Sequence, residues 1–152
     1  MDGETVHDRY CLFGAGGDAL SRWRRGITLP EALDWLARRR HGARFVAFAF
    51  HYDVCMMIRH LRDPLVLALM ESRPTRVGHW LVQYYPRRIL RATCDRLHGG
   101  GLVEVFDTWG FFQCSFEEAL RRFSIPTPRV VRWGKSQRAR FQETDLPKIR
   151  RY

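Results

Sequence analysis

Three carboxylates are placed where they could act together on metal ions. Asp2 and Glu4 are separated by one residue, so on an extended strand both side chains point to the same side. Asp53 follows an apolar run at residues 45–50, and active sites in open α/β sheets collect at the ends of strands. Carboxylate oxygens suit Mg²⁺, and a pair of such ions can activate water for phosphodiester hydrolysis. We therefore consider these three residues candidate ligands for two Mg²⁺ or Mn²⁺ ions.

Each acidic residue also has a purely structural interpretation. Asp2 and Glu4 could belong to a solvated terminus. Asp53 could cap the helix that follows it, since Asp is a favoured N-cap residue. Asp107 ends a predicted strand and precedes a predicted helix; for this residue the cap is the preferred interpretation, and a place lining the site is the second.

The elements that must position these residues are readable from apolar spacing. Residues 45–50 are apolar throughout, which is typical of a central strand buried on both faces. Thr28 and Glu31 have the spacing of a capping box and predict a helix that ends near His41 and Gly42. Helical spacing resumes after Asp53, and a short helix is predicted to start at residues 63–64.

Strands are predicted at residues 10–13, 80–85, 89–93 and 102–106, and an amphipathic helix at residues 111–123. The turn at Pro86 and Arg87 joins the second and third of these strands, and the glycines at 99–101 join the third and fourth. This mixed order predicts one α/β domain over residues 1–152, built on a mixed β-sheet flanked by helices.

The chain carries a net charge of +10 that comes almost entirely from arginine, since only two lysines are present. A basic excess of this size favours a nucleic-acid partner, although an arginine-rich composition throughout the proteome would produce it too. Arg87, Arg88 and Arg91 flank Trp80 and Tyr84, and we expect the arginines to contact a nucleic-acid strand. For the two aromatic residues, packing in the core is the preferred interpretation.

Several function classes are disfavoured. No apolar run approaches the length of a membrane span, and the acidic N-terminus lacks the features of a signal peptide, so we expect a cytoplasmic protein with no membrane partner. The four cysteines lack zinc-site spacing and are interpreted as small core residues. Residues 14–19 fit a dinucleotide-binding fingerprint, but the following segment is too short and arginine-rich for the required helix, so a hairpin turn is predicted.

Short motifs along nearly the whole chain resemble the exonuclease domain of family B DNA polymerases, especially the divergent viral, plasmid and protein-primed-like members. Asp2-Gly3-Glu4 resembles the first exonuclease motif, Asp-x-Glu. Residues 48–53 resemble the second motif, in which an aromatic residue precedes a metal-binding Asp. Residues 103–116 resemble the strand and helix between the second and third motifs, and residues 135–152 resemble the approach to the third.

The resemblance implies a ribonuclease-H-like fold and a proofreading-type 3′–5′ exonuclease that acts on single-stranded DNA or a primer end. It implies that Asp2, Glu4 and Asp53 bind the two metal ions and that Tyr152 positions the attacking water. His51, Lys135 and Arg138 are further candidates for DNA contacts. The implied partner is the rest of a DNA polymerase, in the cytoplasm of a bacterium or a virus-infected cell.

The chain departs from the family pattern in two ways. Phe48 stands where the second motif usually has Asn, with His51 as the nearest polar substitute, which affects strand contacts more than metal binding. The chain also ends at Tyr152, before the expected fourth metal ligand, and begins one residue before Asp2, so we expect a domain truncated at both ends relative to the family. The alternative function is therefore a catalytically incomplete nucleic-acid-binding or interaction module of the same fold.

Overall fold

A computed structural model describes residues 2–6, 9–15, 18–39, 44–95, 101–129, 132–133, 136 and 143–145, with the backbone alone at 2–6 and 143. The strands in these ranges are β1 Asp2–Val6, β2 Arg9–Ala15, β3 Asp18–Ser21, β4 Arg44–Ala47, β5 Thr75–Val77, β6 Trp80–Tyr85, β7 Ile89–Cys94 and β8 Gly101–Asp107. The helices are α1 Leu29–Ala37, α2 Phe50–Ile58, α3 Asp63–Met70, α4 Trp109–Phe112 and α5 Phe116–Arg122. None of these helices is long and apolar enough to cross a membrane.

The described strands form two sheets. The smaller sheet is antiparallel, in the order β1-β2-β3, and the larger has the order β4-β8-β7-β6-β5. In the larger sheet β4 and β8 are parallel while the other neighbours are antiparallel. The predicted α/β class with a mixed sheet flanked by helices is confirmed, and the arrangement is compatible with a ribonuclease-H-like fold.

Helix α1 begins as its capping box predicts. The carboxylate of Glu31 accepts hydrogen bonds from the backbone N–H of Thr28 at 3.1 Å and from the Thr28 hydroxyl at 3.0 Å. Its apolar face, Leu29, Leu33 and Leu36, is fully buried. The helix ends at Ala37, a few residues before the predicted end.

Strand β4 corrects the prediction of a six-residue strand at 45–50. It ends at Ala47, and Phe50 is already the first residue of α2. The chain turns at Ala49, which has a left-handed backbone with φ of 59°. The prediction of burial on both faces is also wrong, because Val46 is 59% exposed.

The core lies between the helices and the larger sheet. Strand β6 alternates buried and exposed side chains, with Trp80, Val82 and Tyr84 directed inwards, so the core interpretation of Trp80 and Tyr84 is confirmed. Phe13 of β2 packs edge-on against Trp35 of α1, with ring centroids 5.6 Å apart. The smaller sheet therefore shares its inner face with the main core.

The predicted helix at 111–123 is instead two short helices. Gln113 adopts a left-handed backbone with φ of 51° and separates α4 from α5. The predicted apolar face is only partly buried: Ala119 is 5% exposed, whereas Phe123 is 60% exposed. Helix α4 directly follows β8 and contacts the β6–β7 turn, where Trp109 meets the guanidinium of Arg87.

Candidate functional site

Asp53 is a buried carboxylate with a defined hydrogen-bond donor. It lies in the first turn of α2 and is 3% exposed. The hydroxyl of Tyr10, from β2, donates a hydrogen bond to Asp53 Oδ1 at 2.8 Å. Burying a carboxylate is costly unless hydrogen bonds, opposite charges or a metal ion compensate for its lost hydration, so this position is held by specific partners. The N-cap of α2 is Ala49, so the alternative that Asp53 is the N-cap residue of this helix is wrong.

Strand β1 brings the backbone of Asp2 and Glu4 to the same region. Helix α2 packs against both β1 and β2. Tyr10 pairs with Thr5, Glu4 pairs with Leu12 and Asp2 pairs with Gly14, with a register shift between Glu4 and Thr5. Tyr10, the donor to Asp53, therefore stands opposite the residue that follows Glu4.

The side chains of Asp2 and Glu4 lie outside what the structure describes. Among the side chains that it does describe, no three His, Cys, Asp or Glu residues form a group that could hold a metal ion. The three-carboxylate metal site stays a prediction. Tyr152, Lys135 and Arg138 also lie outside the described residues, and their proposed roles stay predictions as well.

His51 is held by Tyr84 on one side and Cys55 on the other. Its ring stacks on that of Tyr84 with an interplanar angle of 12°, and its Nδ1 lies 2.7 Å from the Tyr84 hydroxyl. The sulfur of Cys55, one helical turn on, lies 3.7 Å from His51 Nε2. His51 is thus half-buried within a side-chain cluster rather than projecting freely towards solvent.

Burial makes the hydroxyl of Tyr84 and the thiol of Cys55, the two side chains in contact with His51, harder to deprotonate. Burial raises the pKa of Tyr84 far above its usual value, and the nearby Cys55 and Asp107 add to the effect. Burial likewise raises the pKa of the Cys55 thiol. Because the thiolate is the reactive form of cysteine, this His–Cys contact lacks the activated sulfur that nucleophilic catalysis requires.

Asp107 organises the backbone around both α2 and α4. Its Oδ1 accepts hydrogen bonds from the N–H groups of Ala49 at 3.0 Å and Trp109 at 2.9 Å, and its Oδ2 accepts one from His51 at 3.1 Å. The N-cap residue of α4 is Thr108, so the prediction that Asp107 is the cap of the helix after β8 is wrong, although Asp107 does accept a hydrogen bond from Trp109, the first residue of that helix. The two bonds to the entry of α2 were not predicted.

An open cleft of about 510 Å³ lies between the β6–β7 turn and α4. The guanidinium of Arg87 lies over the ring of Trp109, 4.7 Å from its centroid. Arg88, Asp107 and Phe111 are among the other residues that line the cleft. Arg87 and Arg88, two of the four arginines predicted to contact a nucleic-acid strand, thus face one cleft that also contains aromatic rings.

Arg91 differs from its two neighbours. Its Nε and Nη2 atoms bond to Glu104 Oε1 at 2.9 and 2.8 Å, and Glu104 also lies 3.5 Å from Arg44. The side chain of Glu104 is 11% exposed, so this ion pair is partly sheltered from solvent. Arg91 therefore neutralises a carboxylate within the sheet, and its guanidinium is less available to a phosphate than those of Arg87 and Arg88.

Sequence reasoning missed Tyr10 as the partner of Asp53 and Trp109 as the partner of Arg87. The contact between Arg87 and Trp109 could have been predicted from the sequence. Ile89 pairs with Phe106 in the β7–β8 hairpin, and this hairpin was predicted from its glycine-rich turn. Antiparallel pairing places the residues just before β7 beside those just after β8, which brings Arg87 to Trp109.

Comparison of the chain with known protein families, with curated proteins and with solved structures finds no match.

Proposed function

We propose that this chain is a metal-dependent 3′–5′ exonuclease that acts on single-stranded DNA ends. The observation that supports this proposal most is Asp53, a carboxylate that is 3% exposed and hydrogen-bonded to Tyr10. It belongs to the helix that packs against β1, the strand that carries Asp2 and Glu4. Carboxylate oxygens are the ligands that hard divalent cations prefer, and the packing of α2 against β1 is what supports a shared site for these three residues.

Asp2, Glu4 and Asp53 would hold the metal ions in this proposal. Bound Mg²⁺ or Mn²⁺ would supply an activated water and stabilise the charge on the leaving 3′-oxygen. The chain's own contribution is to orient these ligands. The Tyr10 hydroxyl fixes Asp53 Oδ1 through its 2.8 Å hydrogen bond, and Tyr152 is proposed to position the attacking water.

The positive net charge of the chain supports a nucleic acid as the proposed substrate. With a net charge of +10, the chain attracts polyanions, and Arg side chains bind phosphate oxygens in pairs. The proposed context is the cytoplasm, with the rest of a DNA polymerase as the partner that delivers a primer end.

Metal binding and cleavage can be tested in one set of proteins. We expect millimolar Mn²⁺ or Mg²⁺ to raise the melting temperature of the unmodified chain, because a ligand that binds only the folded state stabilises it. The Asp53→Asn variant should lose most of that increase and all cleavage. Asp63→Asn, an exposed position in the first turn of α3, is the matched control and should retain both. A metal-induced rise of equal size in Asp53→Asn would contradict the assignment of this ligand.

A second candidate function is nucleic-acid binding without catalysis. The cleft at Arg87 and Trp109 favours it, because this cleft combines cations with aromatic rings and, among the described side chains, its lining does not include Asp53. It predicts binding to single-stranded DNA that weakens steeply with salt, with neither metal stabilisation nor cleavage.

A further inference from the structure

The cleft between the β6–β7 turn and α4 holds two cationic side chains on one short turn. Arg87 and Arg88 are both exposed, and both line the cleft. The Cζ atom of Arg87 lies over the ring of Trp109, 4.7 Å from its centroid. A guanidinium has five N–H donors, so it can bind the two oxygens of a phosphate while it stays against the ring.

The same cleft is lined by Phe111, whose aromatic side chain is exposed to solvent. Phe111 is 81% exposed, which is unusual for a large apolar side chain in a folded domain. Its ring meets that of Phe112 edge-on, with centroids 5.0 Å apart and an interplanar angle of 89°. With 81% of the residue exposed, the ring of Phe111 is accessible to a ligand, and an aromatic face is what an unpaired base stacks on.

The backbone that holds these groups is constrained. Arg87 and Gln113, at opposite sides of the cleft, both have left-handed φ angles, of 60° and 51°. A Cβ at Gly110 would lie 2.9 Å from the carbonyl oxygen of Arg87, so α4 and the turn approach as closely as glycine allows. Residues in sparsely populated conformations persist where the surrounding structure requires them, and they cluster at functional sites.

The carboxylate of Asp107 also lines the cleft, where a bare negative charge would oppose a phosphate. Three backbone N–H groups bond to it, from Ala49, His51 and Trp109. These N–H dipoles offset the negative charge of the carboxylate and occupy acceptor positions on both of its oxygens. The charge that the cleft presents to a ligand is therefore dominated by Arg87 and Arg88.

We propose that this cleft binds one nucleotide unit of a single-stranded nucleic acid, with Arg87 and Arg88 on the phosphodiester and Phe111 stacked on the base. The ligand class rests on the proposed function, but the binding step requires neither the metal ions nor the carboxylates that would hold them.

Stacking on Phe111 requires a base face that is not already covered by its neighbours in a duplex. The cleft should therefore prefer single strands over duplexes. Base-on-aromatic stacking tolerates every base because each has a π face, so the preference should change little between oligonucleotides of thymine and of mixed sequence.

Binding can be measured without any cleavage. Fluorescence anisotropy of a 5′-labelled 15-nucleotide oligo-dT in EDTA gives the affinity of the full chain while metal ions are withheld. We expect Phe111→Ala to weaken binding by about tenfold or more. The double variant Arg87→Gln with Arg88→Gln should weaken binding too, and should flatten the dependence of log affinity on log salt by about 0.7 for each phosphate that is no longer neutralised.

Matched controls separate the cleft from general charge and apolar surface. Arg76→Gln removes one exposed arginine from β5, and Phe123→Ala removes a ring that is 60% exposed but lies outside the cleft. Both should bind oligo-dT as the unmodified chain does. Equal losses in these controls and in the cleft variants, or an unchanged affinity in Phe111→Ala, would overturn the proposal. Binding of an acidic peptide that competes fully with oligo-dT and depends equally on Phe111 would overturn it in favour of a protein partner.

The outcome is distinguishable from that of the exonuclease proposal. The anisotropy measurement in EDTA reports on the cleft without any bound metal ion, and Asp53 is not among the residues that line the cleft. A chain that never cleaves DNA but loses binding in Phe111→Ala would support the cleft and contradict the exonuclease. A chain that cleaves DNA, with a Phe111→Ala variant that binds oligo-dT normally, would support the exonuclease and contradict the cleft.

Discussion

Asp107 Oδ2 accepts a hydrogen bond from the backbone N–H of His51 at 3.1 Å, across 56 positions of sequence. The other oxygen of the same carboxylate accepts bonds from Ala49 and Trp109. One side chain thus ties the entry of α2, which carries Asp53, to the first residue of α4, which lines the basic cleft. A change at this carboxylate should affect both regions.

Replacing the Asp107 carboxylate by an amide should destabilise the fold. Asp107→Asn keeps one oxygen acceptor but directs an NH₂ group at backbone N–H groups that can only donate. Hydrogen bonds to a charged group contribute about 1.5–3 kcal/mol each, so we expect a loss of about 2–4 kcal/mol in the free energy of unfolding by urea. The affinity for oligo-dT in EDTA should fall as well, because α4 loses the hydrogen bond between the N–H of Trp109 and the Asp107 carboxylate.

The control for this change is Asp63→Asn, which also removes one carboxylate from the start of a helix but at an exposed position. Its effect should stay within about 1 kcal/mol, the usual size of a helix-dipole contribution. Equal stability of Asp107→Asn and the unmodified chain would show that the three bonds do not hold α2 and α4 together.

Removing the hydroxyl of Tyr10 tests how Asp53 is held. Tyr10 is 2% exposed and donates to a buried carboxylate. Tyr10→Phe keeps the ring but leaves Asp53 without that donor, and we expect a loss of about 1–3 kcal/mol in stability. Chemical unfolding followed by circular dichroism measures it.

Tyr85→Phe is the matched control for Tyr10→Phe. The Tyr85 hydroxyl accepts a hydrogen bond from Gln83 at 2.7 Å, but the residue is 40% exposed, so water can take the place of that hydroxyl. A stability loss in Tyr10→Phe no larger than in this control would mean that the Tyr10–Asp53 bond contributes nothing specific.

Local signals in the sequence predicted local structure well. The start of α1 followed from Thr28, Pro30 and Glu31, because a capping box is made by residues three positions apart. The β6–β7 and β7–β8 hairpins followed from alternating apolar residues and from their turns. The α/β class followed from the order of these elements.

Contacts between distant residues were beyond the same reasoning. The strand predicted at 45–50 ends at Ala47 because Asp107 binds the N–H groups of Ala49 and His51 and turns the chain into α2. Nothing near residue 49 indicates that partner. The Tyr10–Asp53 bond likewise depends on how β2 and α2 pack, and β1 and β2 shift register close to Tyr10, which no spacing rule anticipates.

Adding one methyl group at Gly110 should disturb the cleft. Its Cβ would lie 2.9 Å from the backbone oxygen of Arg87, so α4 and the β6–β7 turn must separate. We expect Gly110→Ala to cost about 1–3 kcal/mol of stability and to weaken oligo-dT binding, as thermal unfolding and anisotropy would show. Phe111→Ala provides the contrast, since it should weaken binding with little change in stability. Normal binding by a stable Gly110→Ala protein would mean that the close approach has no role in the cleft.

The capping box of α1 predicts a pH dependence. Burial alone would raise the pKa of Glu31, but hydrogen bonds from Thr28 and the charges of Arg25 and Arg22 outweigh it and lower that pKa. Because the pKa is lower in the folded state, the carboxylate's stabilisation is fully present above its unfolded-state pKa and is lost as the pH falls through the folded value.

Glu31→Gln should therefore cost about 1 kcal/mol of stability at neutral pH. The difference from the unmodified chain should shrink below pH of about 4. Urea unfolding at several pH values measures it. Glu71→Gln is the control, because Glu71 pairs with Arg73 in an exposed ion pair that contributes little. A difference for Glu31→Gln that is independent of pH would contradict the role of its charge.

The central claim is that the buried Asp53 serves a metal-dependent exonuclease. The measurement that tests it most directly is the digestion of a 5′-labelled single-stranded oligonucleotide with Mg²⁺ or Mn²⁺ by the unmodified chain, Asp53→Asn and Asp63→Asn. A ladder that shortens one nucleotide at a time from the 3′ end, absent in Asp53→Asn and in EDTA and present in Asp63→Asn, is the predicted result. A ladder that persists in Asp53→Asn, or no cleavage by a folded chain that binds the oligonucleotide, would contradict the claim and leave nucleic-acid binding as the function.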